Sequence, residues 1–296
     1  MGTELRRVRR RIRSVQSTMK ITRAMELVAA SRIAKAQQRV EAARPYAELL
    51  TRAIEDIARQ TGTFVNPLLE QRETPERAGV LLVTSDRGLA GSYNANVLRL
   101  AEDLTRRIRA RGLEPVLYVS GKKGISHLRF RGAALVDTWS GFSEVPPFSA
   151  AEGIGRRVIG DFAERRIDEL HTVFTEFRSA FELRPTVKRF LPIAAEEVRR
   201  LKGQPHAEYI FEPDPGVILG EMLPLYVIME VYAALLESAA SENAARRRAM
   251  QAATDNAEDL IKVLTRQANR ARQDEITGEI VEIVGAAEAL GEAVGE

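Results

Sequence analysis

Leu5, Val8, Ile12, Val15, Met19, Thr22, Glu26, Ala29, Ile33, Ala36, Val40, Ala43, Ala47, Leu50, Ile54 and Ile57 follow one another at alternating spacings of three and four residues. A seam repeating every 3.5 residues predicts one helix, about 80 Å long at 1.5 Å per residue, supercoiled left-handedly on a partner. Thr22 and Glu26 are its polar members. Near the other end Met229, Tyr232, Leu236, Ala239, Met250, Ala253, Ala257, Leu260, Leu264 and Ala271 share one heptad frame, interrupted by Asn243, Arg246 and Gln267. A compact domain between the two stretches lets them run back along each other. Ile57 then lies near Gly216, paired residue numbers sum to about 273, and Leu5 faces Ala268. Beyond that point Ile276, Ile280, Val281, Ile283 and Val284 have no partner in their own chain.

Between the two helices the period changes. Gly62, Asn66, Pro67 and Pro75 mark a loop and a boundary. Ala78–Thr84 is a short apolar run, as a strand buried on both faces requires. The segments that follow alternate: helix Asn94–Arg111 ending at Gly112, strand Pro115–Ser120, helix Lys122–Arg131, strand Ala134–Thr138, helix Ala150–Arg166 and strand Glu169–Phe177. Strands joined by crossover helices predict a mainly parallel sheet covered on both sides. Two further strands are expected at Leu183–Phe190 and Ala207–Phe211, after which Pro213 and Pro215 close the domain. Pro45 and Pro224 fall inside the long helices, where each removes a backbone donor and predicts a kink.

Composition narrows the class. The chain is 45% apolar, 29% charged and only 6% aromatic, which suits long helices packed with Ala, Leu, Ile and Val. Without cysteine there is neither a disulfide framework nor a thiolate metal site. No 18 consecutive residues are apolar and no apolar stretch follows the first arginines, so neither a membrane span nor a secretory signal is expected. The net charge of +3 hides an uneven distribution. Arg6, Arg7, Arg9, Arg10, Arg11 and Arg13 crowd one end, and Glu275, Glu279, Glu282, Glu288, Glu292 and Glu296 the other. The arginines predict acidic neighbours.

Thr84–Val97 (TSDRGLAGSYNANV) joins the first strand to the next helix. A glycine-containing turn opening a helix can cradle phosphate, but Gly88 and Gly91 fit neither GxGxxG nor GxxxxGK, and no acidic residue ends the second strand. A structural turn with Asn94 near the helix start is the simpler reading. His127, His171 and His206 are far apart and lack metal-ligand spacing. The arginine run would attract nucleic acid in isolation, yet Met1–Arg44 has no aromatic side chain for stacking, and acidic protein loops fit as well. Ile21, Met25, Leu27 and Val28 are apolar but lie off the seam, which predicts a second protein over this part of the helix.

Arg9–Gln37 (RRRIRSVQSTMKITRAMELVAASRIAKAQ), Ala43–Glu48 (ARPYAE), Thr84–Asn94 (TSDRGLAGSYN), Tyr209–Pro215 (YIFEPDP), Ser241–Met250 (SENAARRRAM) and Asn269–Leu290 resemble, in order, the gamma subunit of the F-type ATP synthase. The resemblance implies a central rotor shaft inside three alpha and three beta subunits, with a sheet foot on the membrane c-ring beside the epsilon subunit. Proton flow would turn it, and ATP chemistry would occur on beta, so no catalytic residue, metal or cofactor is expected in this chain. Partner contacts implied by matching position are Met25 and Arg246 toward acidic beta loops, Gln273 and Thr277 toward an upper beta loop, and Tyr209 and Glu212 toward the c-ring. Arg23 stands where the family usually has lysine, Arg246–Arg248 carries an extra arginine, and the cysteine-bearing insert of the chloroplast version is absent.

The expected fold is therefore α/β: a long antiparallel coiled coil of the N- and C-terminal helices plus a Rossmann-like, mainly parallel sheet domain. Residues 1–60 form the first helix, 76–212 the foot, 213–290 the second helix, and 291–296 a frayed tail. Implied by the resemblance is a peripheral subunit at the cytoplasmic side of a bacterial cell membrane, with no nucleic-acid partner. The alternative is a nucleotide-binding α/β enzyme with helical extensions.

Overall fold

A computed structural model describes residues 3–61, 66–179, 181–193, 212 and 214–294. The elements are α1 (Thr3–Thr61), β1 (Arg77–Val83), α2 (Tyr93–Ala110), β2 (Glu114–Ser120), α3 (Lys122–Phe130), β3 (Asp137–Trp139), α4 (Phe148–Ala163), β4 (Glu169–Phe177), β5 (Leu183–Leu191) and α5 (Pro215–Val294). Pro45 and Pro224 both lie within helices that continue past them. The chain divides into two compact units, Met1–Val28 with Arg248–Glu296, and Ala29–Arg247.

In the larger unit the sheet order is β3-β2-β1-β4-β5. β1 pairs parallel with β2 and β4, β2 pairs parallel with β3, and β5 closes the sheet antiparallel to β4. Alternation along β1 sends Ala78, Val80 and Leu82 to one face, where they pack with Val97, Leu98, Ala101, Leu104 and Ile108 of α2. Leu81 and Val83 face the other way, toward Ile154, Val158 and Phe162 of α4. That second cluster does not stop at the sheet and its helices. It includes Leu50, Ile54 and Ile57 of α1 and Leu219, Leu223, Val227, Val231 and Leu235 of α5. The hydrophobic core thus crosses the boundaries expected at residues 76 and 212. Contact is close: a Cβ added at Gly155 of α4 would sit 2.6 Å from Ile228 Cγ1 of α5.

α5 contains a window long and apolar enough to cross a membrane by composition alone. Leu219, Leu223, Val227, Ile228 and Val231, in its apolar first part, are at most 3% exposed inside this core, which accounts for their character without a bilayer.

α2 stops as its sequence requires. Gly112 has φ +80°, the Gly112 amide donates to the Arg109 carbonyl, and the Leu113 amide donates to the Ile108 carbonyl. β3 begins three residues later than the apolar pattern placed it. Gly132 and Ala133 donate to the Arg129 and Leu128 carbonyls and close α3, and the Val136 amide bonds Leu117 before the ladder with β2 starts. The strand expected at Ala207–Phe211 lies outside the described residues. Helical backbone continues through Gly291–Val294, part of the tail for which fraying was expected.

Glu237 of α5 is half-buried beside β4 and β5, with Oε2 out of contact with water and unpartnered. Burial, together with Glu176 and Glu230 and against the opposing pull of Lys188, pushes its carboxyl up to about 7. Its ordinary value is near 4.5, so the folded chain holds this proton more tightly than the unfolded one. The resulting stability is complete below the ordinary value and is lost as pH rises through about 7. Glu237→Gln should therefore raise stability by about 1–2 kcal/mol above neutrality, allowing for partial solvent screening, and change little near pH 4.5. Urea unfolding at both pH values measures this; an equal effect at both would contradict the assignment.

Candidate functional site

In the smaller unit, α1 residues Leu5 and Thr22 are buried and Val8, Ile12, Val15, Met19 and Glu26 half-buried, as the first heptad frame requires. The partner seam on α5 differs from the expected frame. Met250, Thr254, Ala257, Leu264 and Ala268 are buried and Ile261 is half-buried, whereas Leu260 and Gln267 face out. The two choices, i+3 and i+4 from each anchor, are close in hydrophobicity here. Thr254 decides the matter by meeting Thr22 across the seam, Oγ to Oγ at 2.7 Å. That pair sums to 276, against the expected 273, and the antiparallel direction is confirmed by the groove in which Glu4, Arg7, Val8 and Arg11 lie opposite Leu264, Gln267, Arg270, Ala271 and Asp274.

Each threonine hydroxyl also lies within bonding distance of a carbonyl on its own helix, Met19 for Thr22 and Met250 for Thr254, both at 3.0 Å. Two protons cannot fill three such bonds at once. One hydroxyl bonds across while the other bonds back, and the pair can exchange roles.

Beyond the seam the helices are greasy on their outer surfaces. Ile21, Leu27 and Val28 are 50–67% exposed and Met25 is half-buried. On α5, Ile276, Ile280, Val281, Ile283 and Val284 are all exposed, as are Gln273 and Thr277. Glu212 is exposed at a bend, and Tyr209 lies outside the described residues.

Arg246 belongs to the larger unit and is 4% exposed. Its Nη2 donates to Glu242 Oε1 at 2.6 Å and its Nη1 lies 3.3 Å from Glu144 Oε1, so two carboxylates of its own chain neutralise it. Burial raises the Glu242 carboxyl, opposed by Arg246 and by a hydrogen bond from Ser143. Glu144 Oε2 also pairs with Arg32 of α1 and lies 3.9 Å from Arg87 Nη1. The i, i+4 spacing of Glu242 and Arg246 was visible in the sequence. Nothing local marked Glu144, which sits in a turn and reaches residues more than a hundred positions away.

The turn after β1 is built from within. Asn94 Oδ1 accepts the Ser85 amide at 3.1 Å. The Asp86 carboxylate accepts the amides of Lys122, Gly141 and Ser143 at 2.7–3.1 Å, and the Ser143 hydroxyl accepts the Asp86 amide. Those amides, at the start of α3 and in the turn after β3, are the donors a phosphate would need, and an internal carboxylate holds them. His127 and His171 pair with Glu102 and Glu169, and His206 lies outside the described residues. Among the described residues no group of three His, Asp or Glu is placed to hold a metal.

Two long terminal helices, paired antiparallel in one unit and completing a sheet core in the other, define a shaft-type α/β protein. A profile of the ATP synthase family matches residues 4–290. The ATP synthase gamma chain of Acidothermus cellulolyticus is 53% identical over 98% of both chains. That of Mycolicibacterium smegmatis is 50% identical over 98% of this chain and 99% of its own. Among solved structures, a chain of the Tetrahymena thermophila mitochondrial ATP synthase central stalk and c-ring is 25% identical, covers 79% of this chain and 99% of its own, and superposes with a TM-score of 0.59. A chain of the Euglena gracilis mitochondrial ATP synthase shares the fold at 16% identity, with a TM-score of 0.65 over 98% of this chain and 95% of its own. The chain belongs to the ATP synthase gamma-chain family.

The threonine layer is testable. Thr22→Val or Thr254→Val alone should cost about 0.5–1 kcal/mol, and the double substitution should restore or exceed the original stability because no hydroxyl is left in the seam. Calorimetric melting of the three variants checks this; additive losses would contradict it.

Proposed function

We propose that this chain is the central rotor shaft of a proton-translocating F-type ATP synthase. The observation that carries the reading is the exposed apolar surface at Ile276–Val284, on a helix stretch more than 20 residues past the Thr22–Thr254 pair. A lone helix with that surface is marginal in water, so a sleeve of other subunits must bury it. Three alpha and three beta subunits supply the sleeve in this reading, and the exposed patch at Ile21, Leu27 and Val28 meets the same assembly. The sheet unit rests on the c-ring beside epsilon, with Tyr209 and Glu212 as the contacts toward the ring in this reading. ATP chemistry takes place on beta; this chain is a non-catalytic subunit that carries torque. The complex lies at the cell membrane, with this chain peripheral on the cytoplasmic side.

The roles of the contact residues follow from exposure. Met25, Gln273 and Thr277 are accessible for contacts with the sleeve. Arg246 acts differently in this reading: neutralised at home by Glu242 and Glu144, it fixes its part of α5, while Arg87 and Arg247 are exposed.

Capture of a tagged chain from native membranes tests the reading. Alpha and beta subunits should be recovered at three copies each per tagged chain, and recovery without them would refute it. The same preparation tests the sleeve. Ending the chain at Asn269 should sharply lower complex yield, with up to about 1.5–3 kcal/mol lost for each large apolar side chain no longer buried. Deleting Gly291–Glu296 should leave yield unchanged. Equal yield from both truncations would contradict the sleeve.

A further inference from the structure

In the turn between β3 and α4 one side chain meets both long helices. Glu144 presents Oε2 to Arg32 of α1 and Oε1 to Arg246 of α5, and its side chain is only 16% exposed. The turn cannot swing away from the sheet, because Asp86 binds the amides of Gly141 and Ser143 and the Ser143 hydroxyl binds the Asp86 amide. Gly88, in the same β1 turn, offers its carbonyl to Arg246 at 3.4 Å. A rigid pair of turns therefore holds one carboxylate between two arginines on two helices.

Position gives this contact leverage. The apolar contacts of α1 with the sheet core are at Leu50, Ile54 and Ile57. Arg32 lies 18 residues before Leu50, or about 27 Å along the helix at 1.5 Å per residue. A restraint that far from the pivot limits tilting and twisting of the helix much more effectively than another contact beside Leu50 would. The charges also match the task. Arg246 keeps Glu242 whatever happens to Glu144, and the guanidinium of Arg32 is one-third exposed, so losing Glu144 orphans no buried charge. The residue contributes alignment out of proportion to its share of folding.

We propose that Glu144 is a positioning residue that splints α1 and α5 onto the sheet, so that turning moment passes between sheet and helices without rocking. The mechanical part rests on the rotor reading given above; the splint itself does not. The test has two arms. In the isolated full-length chain, Glu144→Ala should speed hydrogen exchange in α1 around Arg32 about tenfold with the melting temperature nearly unchanged, while the Gly141 and Ser143 amides held by Asp86 keep their protection. The double variant Glu144→Ala/Arg32→Ala should exchange no faster than the single one. Unchanged exchange, or additive effects in the double variant, would overturn the splint. In the assembled complex, a probe on the sheet unit should show about twofold larger angular variance during pauses with Glu144→Ala, at an unchanged rate of ATP hydrolysis. Unchanged variance beside quickened exchange would overturn the mechanical role. Absence of turning with the unsubstituted chain would instead overturn the rotor reading and leave the exchange arm to decide the splint.

Discussion

From Ser238 to Arg246 α5 has no side facing water: all nine residues are buried, seven of them Ala, Ser or Asn. Everything else in the larger unit depends on that. A helix enclosed on all sides needs small side chains so that neighbouring backbones can approach, and it needs a partner for every polar group it carries. The partners are present. The Ser241 hydroxyl donates to the Thr175 carbonyl at 3.1 Å, the Thr175 amide lies 3.4 Å from Ser238 Oγ, and Asn243 donates to Ala239 on its own helix. Glu242 and Arg246 neutralise each other at one helical turn, and Glu144 supplies the second carboxylate. The segment that reads as small and polar in sequence is thus the most deeply packed stretch of its helix.

The same packing shows why parts of the molecule were legible in the sequence. The first heptad seam was, because α1 buries one stripe and every third or fourth residue reports it. The sheet was, because β1 carries a continuous apolar run and the crossovers end in glycine at Gly112. The α5 seam was misread by one position at Thr254, Ile261 and Ala268, since neighbouring alanines and leucines offer two frames of similar hydrophobicity. The facing Thr22, and Ala268 in place of the polar Gln267, favour the frame observed. The core that gathers Leu50, Ile57, Leu219 and Leu235 around one sheet face was not legible, because contacts between residues so far apart in sequence leave no local pattern.

The candidate site was legible where it is apolar and hidden where it is charged. Exposed Ile276–Val284 and Leu27–Val28 were anticipated from side chains lying off any seam. The pairing of Arg246 with Glu144 was not, because an ion pair between residues so distant in sequence leaves no periodic trace. Its consequence is mechanical: a long helix with small side chains is stiff along its axis but has little to grip. Charged struts anchored in tied-down turns supply that grip, and one threonine pair that exchanges donor and acceptor roles lies in the seam.

The claim that this chain is a shaft is tested most directly by watching it turn. With the complex fixed to a surface through its alpha and beta subunits and a probe attached to the sheet unit, ATP should drive the probe in one direction with three pauses in every revolution. A complex that hydrolyses ATP at full rate while the probe stays still would contradict it.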